Sequence, residues 1–337
     1  MESESETKES YIYFAAIGGS FVDFQYIDLT PWGIQGGFVE NSETETFIRS
    51  ISMKEHDERN WKHIKEVTQG IDGGGGMHGD WEYMNLLWPS DLNNPPPENY
   101  YFEVIEAIRL IHPSEIYIRN ILGAQYFEGQ GIYFSSWDTY SAYYWYKYEE
   151  PHEHYFNYPE ENLKETNEFL VFYKDNYNKR DYIRNAIRYY SDSFRVNSSE
   201  MSFICLCICL ETVVPGKEQL SYRFKRNLAV LCSDSRERGK KIYSLANKLY
   251  RYRSKLVHSG MTSKDFKKFD LFFEYAQVLA SRMIIEMLSH DIPKIEDLDN
   301  KITELGFGQK KEISESYKEF RGNISVWIKV FLYEFEK

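Results

Sequence analysis

A chain of 337 residues and 40.1 kDa has material for two domains of ordinary size, since one hydrophobic core serves about 100–200 residues. Its 42% hydrophobic and 17% aromatic content excludes a chain disordered throughout. The formal net charge of −12 excludes a surface clad everywhere in phosphate contacts, which need clustered Lys and Arg, but the charge is uneven: 17 Lys and Arg stand against 7 Asp and Glu between Lys179 and His258.

Met1 to Ser10 is a polar Glu/Ser run without the basic and apolar regions of a secretory signal. The longest apolar run, Phe203 to Leu210, falls short of the roughly 18–20 residues of a membrane span. These features predict a cytoplasmic protein with a frayed start and no membrane partner. Residues 11–55 read as short strands and turns: Tyr11 to Ile17, then Gly18-Gly19, Phe21 to Leu29, a Pro31-Trp32-Gly33 turn and a Gly36-Gly37 turn, as in a meander or small sheet. The Gly-rich stretch from Gly70 to Gly79 reads as loop, and Pro95-Pro96-Pro97 breaks the chain before a helix from Glu98 to Ile111. Strand patterns return at Glu115–Ile121 and Gly131–Phe134, and a Tyr-rich segment over 137–158 leads to a domain boundary.

From Pro159 the pattern turns helical. Glu160–Tyr177, Arg180–Phe194, Glu200–Val213, Leu220–Cys232, Ser235–Val257 and Ser263–Ser289 each carry apolar residues at three- and four-residue spacing. Asp234 with Glu237 fits a helix start, and Ser259-Gly260 fits a helix stop. An acidic, Gly-containing connector then leads to a last helix over Glu312–Glu336. The expected fold is α+β: a mixed α/β domain over 1–158, then an all-α bundle over 159–337.

Three features of chemical interest have plain readings. Cys205, Cys207 and Cys209, with Cys232, match no usual zinc spacing and read as reduced core thiols. The Gly73–Gly76 loop lacks the Gly-Lys-Ser/Thr ending of a phosphate-binding loop. His152-Glu-His154, flanked by prolines, reads as exposed side chains before it reads as the metal site of a hydrolase. No metal and no cofactor are expected.

The remaining candidate is Arg253-Ser-Lys-Leu-Val-His258, at the end of a long helix in the basic segment. With 16 Arg and 8 His in the chain, about one such spacing arises by chance, and Arg49…His56 and Arg251…His258 are decoys of this kind. The surroundings carry the argument: Leu210-Glu-Thr-Val-Val, then Ser221-Tyr-Arg-Phe-Lys-Arg-Asn-Leu-Ala, then Ser235-Arg-Glu-Arg and Leu249-Tyr-Arg-Tyr-Arg-Ser-Lys-Leu-Val-His-Ser-Gly260. In order and spacing this resembles the ApeA-like branch of the HEPN superfamily, closely over about 50 residues and loosely over about 130. The chain departs from it in having His258-Ser259-Gly260 where the family often has His-Gly.

The resemblance implies a HEPN-like helical domain that dimerises and cuts RNA without metal at a composite interface site, in a toxin-like or anti-phage abortive-infection effector. It implies catalytic roles for Arg253 and His258, with Glu211 as the acidic residue that orients one of them. The chemistry agrees: cleavage by an internal 2′-hydroxyl needs a proton carrier titrating near neutrality, such as His258, and a permanent cation for the phosphorane, such as Arg253. Residues i and i+5 of a helix lie about 140° apart, so convergence within one chain requires the helix to end near Val257. Arg223, Lys225, Arg226, Arg251, Ser254 and Lys255 are the candidate RNA contacts. The acidic N-terminal domain would sense a phage-derived or regulatory trigger or restrain the nuclease. The alternative is a non-catalytic HEPN module that binds RNA or protein; without the resemblance, Arg253 and His258 read as cations placed at a helix C-terminus by its dipole.

Overall fold

The computed structural model describes residues 9–20, 22–40, 83–127, 131–138, 163–196, 198–216, 218–233, 236–259, 262–265, 269–290, 292 and 294–306. The expectations for the Gly-rich stretch 70–79, the Tyr-rich segment beyond Asp138, the His152–His154 cluster, the Asp234 cap, Gly260 and the helix over Glu312–Glu336 lie outside these residues. The fold is α+β, with a helical C-terminal region as the patterning predicts. The described residues divide into two compact units. One holds the strands, the first helix as far as Ala107 and the second helix as far as Leu170; the other holds Ile108–Pro113 and the helical chain from Val171 onward.

In the first unit, β1 (Glu9–Gly18), β2 (Ile34–Glu40), β3 (Tyr83–Pro89), β4 (Tyr117–Phe127) and β5 (Gly131–Asp138) pair antiparallel in the order β2-β3-β1-β4-β5. β1 takes the centre because Ile12, Phe14, Ala15, Ala16 and Ile17 are all buried, a near-continuous apolar run suited to a strand covered on both faces. Its pairing with β3 on one side and β4 on the other makes the sheet something other than a simple meander.

Two local expectations fail for identifiable reasons. The segment expected as a strand from Phe21 to Leu29 instead contains a 3-10 turn at Phe24–Tyr26, followed by another at Thr30–Trp32. Side chains, not a neighbouring strand, satisfy its backbone: the Asp23 carboxylate accepts the Gln25 and Phe38 amides at 2.9 Å, while buried Asn85 accepts the Phe24 amide and donates to the Val22 carbonyl, both at 2.9 Å. Gly36 and Gly37 lie inside β2, not in a turn. A Cβ on Gly36 would come within 2.5 Å of Leu87 Cδ2, so glycine permits close packing there. The Pro31-Trp32-Gly33 turn forms as expected, with Gly33 at φ 67°. Helix α1 (Asn99–Ile111) follows the triple proline; its Glu103 accepts the buried Trp32 indole N–H at 3.1 Å, and its Tyr101 hydroxyl donates to the Tyr13 carbonyl at 2.6 Å.

The helices that follow are α2 (Leu163–Asn176), α3 (Asp181–Arg195), α4 (Ser199–Glu211), α5 (Leu220–Cys232), α6 (Arg236–His258), α7 (Phe269–Ser289) and α8 (Leu298–Gly306). All but the last match expected helices. The stretch expected as one helix from Ser263 splits into a 3-10 turn, Ser263–Asp265, and α7. The segment expected as a connector contains α8, whose Leu298, Ile302 and Leu305 are buried at helical spacing. Among the described residues no helix is long and apolar enough to cross a membrane. All four cysteines are free, with Cys207, Cys209 and Cys232 buried, and burial pushes the Cys207 and Cys209 thiols upward.

Helix α7 is the centre of the second unit, packed by α3, α4 and α5 and buried at almost every position from Phe272 to Leu288. Charge is buried along it as well: Arg282 pairs with Glu286 at 2.5 Å, and His290 Nε2 lies 3.3 Å from the other Glu286 oxygen, all at most 4% exposed. Removing one partner strands the other in a medium that cannot solvate it. Glu286→Ala is therefore expected to destabilise the fold by about 3–5 kcal/mol, read as a lower urea midpoint; a midpoint unchanged from wild type would refute this account of the pair.

Candidate functional site

The expected site residues sit where α4 ends and along α5 and α6. Helix α4 starts at a Ser198 cap, whose hydroxyl accepts the Met201 amide at 3.3 Å, and ends at Glu211. Helix α6 lies at the edge of the bundle: of its 23 residues only Ile242, Leu245, Ala246 and Leu249 are buried. Arg253 continues this inward side, and its Nε stands 3.5 Å from Glu211 Oε1, with the side chains 28% and 32% exposed. The contact is a charge pair and not an aligned hydrogen bond. Burial pushes the Glu211 carboxyl upward, and the Arg253 charge opposes that rise. The pair thus joins two of the expected site residues and sets the guanidinium against the end of α4.

His258 is placed differently from the expectation. The helix does not stop at Val257; it runs through His258, and the Ser259 amide still bonds the Lys255 carbonyl at 2.9 Å. With helical geometry unbroken, Arg253 and His258 project about 140° apart. Arg253 is half-buried beside α4, whereas His258 is exposed, as are Arg251 and Lys255. The turn that would bring both side chains to one phosphate is therefore missing within a single chain. Ser254 is half-buried.

The three cations of α5 are engaged inside the fold. Arg223 donates to the Pro215 carbonyl and pairs with Asp299 of α8, and Arg226 donates to Thr303 Oγ1 of α8 at 3.1 Å. These two arginines fasten α8 to α5. Lys225 donates to Asn247 Oδ1 at 3.3 Å and lies 5.3 Å from the centre of the Tyr243 ring, with its amine at the outer seam of the α5–α6 hairpin.

Sequence reasoning overlooked Glu200. Its Oε1 accepts the Ser263 amide at 3.0 Å and its Oε2 accepts the Ser198 hydroxyl at 2.9 Å, so the first turn of α4 anchors the 3-10 turn that follows α6. A Glu within the first turn of α4 was visible in the sequence, but its partner 63 residues away was not. Among the described residues no group of His, Cys, Asp and Glu is arranged to hold a metal ion. Comparison of the chain with protein-family models, with curated proteins and with solved structures returns no match.

The hydrogen bonds from Ser263 hold the Glu200 carboxyl down at about 2 against an ordinary 4.5. A depressed carboxyl stabilises the fold fully above its unfolded pKa and loses that contribution as pH falls toward the folded value. The urea midpoint of wild type should therefore exceed that of Glu200→Gln at pH 6, with the difference shrinking between pH 4.5 and 2; a difference constant across that window would remove the ionised clamp from the account.

Proposed function

We propose that this chain is a metal-independent endoribonuclease whose active site is composite, formed when two copies bring the tips of their α6 helices together. The observation that carries the reading is the division of labour at that tip: Arg253 held by Glu211 on the inward side and His258 exposed on the outward side. One chain presents a cation paired with α4 and an exposed imidazole facing different ways, and a two-fold arrangement gives each a counterpart from the second copy. The resemblance of the Leu210–Gly260 segment to the ApeA-like HEPN branch supports the same reading, together with its toxin-like or anti-phage role and a trigger acting on the N-terminal unit.

In this mechanism the 2′-oxygen attacks the adjacent phosphorus as His258 exchanges protons with the attacking or leaving oxygen, the P–O5′ bond breaks, and a 2′,3′-cyclic phosphate and a 5′-hydroxyl result. Arg253 holds the charge that gathers on the phosphorane oxygens. Glu211 acts through Arg253 and is a positioning residue.

The unbroken helix through His258 favours one second reading, a module that binds RNA without cutting it. The two separate in a single experiment: wild type, Arg253→Ala and His258→Ala are incubated with total RNA in EDTA, and their mass in solution is measured. The nuclease reading expects cleavage by dimeric wild type, loss of at least a hundredfold in each variant, and dimers in all three. Strictly monomeric wild type, or RNA bound but left intact, would decide for the binding module.

A further inference from the structure

The outward side of α6 is strongly one-sided in its chemistry. The helix carries eight Lys and Arg and one acidic residue, Glu237. Lys240, Lys248, Arg251, Lys255 and His258 are exposed, and at 100° per residue all five fall within a sector of about 80°, opposite the inward face of Ile242, Leu245, Ala246 and Leu249. At 1.5 Å per residue the row is about 27 Å long. On α3, by contrast, Arg184 pairs with Asp181 and Arg195 with Asp192. Arg251 and Lys255 have no acidic partner among the described residues, and Lys248 lies only over the Phe272 ring, at 5.7 Å.

Two large aromatic side chains lie on the same hairpin. Tyr222 of α5 is 51% exposed and Tyr243 of α6 is 36% exposed, with the Lys225 amine against the Tyr243 ring. A straight line of cations suits phosphates, and accessible rings on the same hairpin suit bases that are free to unstack. A duplex offers the phosphates but keeps its bases stacked inside.

We propose that the outward face of α6 is a track for single-stranded RNA, with Lys240, Lys248, Arg251 and Lys255 on successive phosphates, Tyr222 and Tyr243 as base platforms, and His258 at the end of the line. This deepens the nuclease reading and rests on it for the choice of RNA, yet the track is tested by binding alone. Lys240, Lys248, Tyr222 and Tyr243 extend the set of contacts, and Arg223 and Arg226 stay outside it, bound to α8.

The test uses the full chain and a fluorescein-labelled 15-nucleotide 2′-O-methyl RNA without self-complementarity, which has no free 2′-hydroxyl to attack and so survives an active nuclease. Fluorescence anisotropy between 50 and 200 mM NaCl should give a slope of log K against log salt of about −3, four contacts at about 0.7 each. Lys248→Gln/Arg251→Gln, at exposed positions where folding is checked by circular dichroism, should reduce the slope to about −1.5 and weaken binding at low salt at least tenfold. Tyr222→Ala should weaken single-strand binding about tenfold. A double variant with slope and affinity within twofold of wild type, or a 15-base-pair RNA duplex that competes as well as the single strand, would overturn the proposal. Binding as described without cleavage of ordinary RNA would leave the track standing and sink the nuclease; cleavage without any effect of the double variant would do the reverse.

Discussion

The second unit depends on the burial of α7 on nearly every side. A helix apolar around its whole circumference has no face to turn to water, so it must be wrapped, and α3, α4 and α5 do the wrapping. Its buried charges, Arg282 and Glu286, are four residues apart and paired, and His290 just past its end lies against the same carboxylate. A buried charge is tolerated only beside its partner, so Arg282 and Glu286 can be buried only together.

Against this buried centre, α6 is peripheral and asymmetric. Its few buried residues attach it to the bundle, and the 3.6-residue period sorts the rest of its chemistry by direction. Arg253 falls on the side that meets α4, where Glu211 neutralises it; Arg251 and Lys255, two positions away on either side, fall toward water. Residues adjacent in sequence thus belong to different environments. A motif written as a string hides this, because its letters do not show which way each side chain points.

Much of the fold was legible. Helix positions from Leu163 to His258 followed from apolar spacing, and Leu220–Cys232 was bounded correctly at both ends. What could not be read depended on partners distant in sequence. Nothing local in Val22–Leu29 reveals that Asn85, 61 residues away, will accept the Phe24 amide; Asp23, which caps the 3-10 turn through the Gln25 amide, was the one local signal against the strand that β propensity favoured. Gly36 carried the signature of a turn, while its use as a notch for Leu87 requires knowledge of the pairing. Helix α8 was within reach, since Leu298, Ile302 and Leu305 keep helical spacing, but its acidic residues suggested a connector. At the site, the Glu211 and Arg253 expectation corresponds to a contact in space, and the expected turn after Val257 gives way to continued helix because Ser259 still finds the Lys255 carbonyl.

The α8 latch has a consequence for handling the protein. Asp299 and Thr303 are the partners that occupy Arg223 and Arg226, so a shortened chain ending before Leu298 would lose two acceptors and uncover two guanidinium groups at once. Such a fragment would be more basic on that side and stickier toward any polyanion. An apparent gain in nucleic-acid affinity on trimming the C-terminal part would then reflect newly bared arginines instead of a released inhibitor. Comparisons between long and short forms are safest when both retain Asp299.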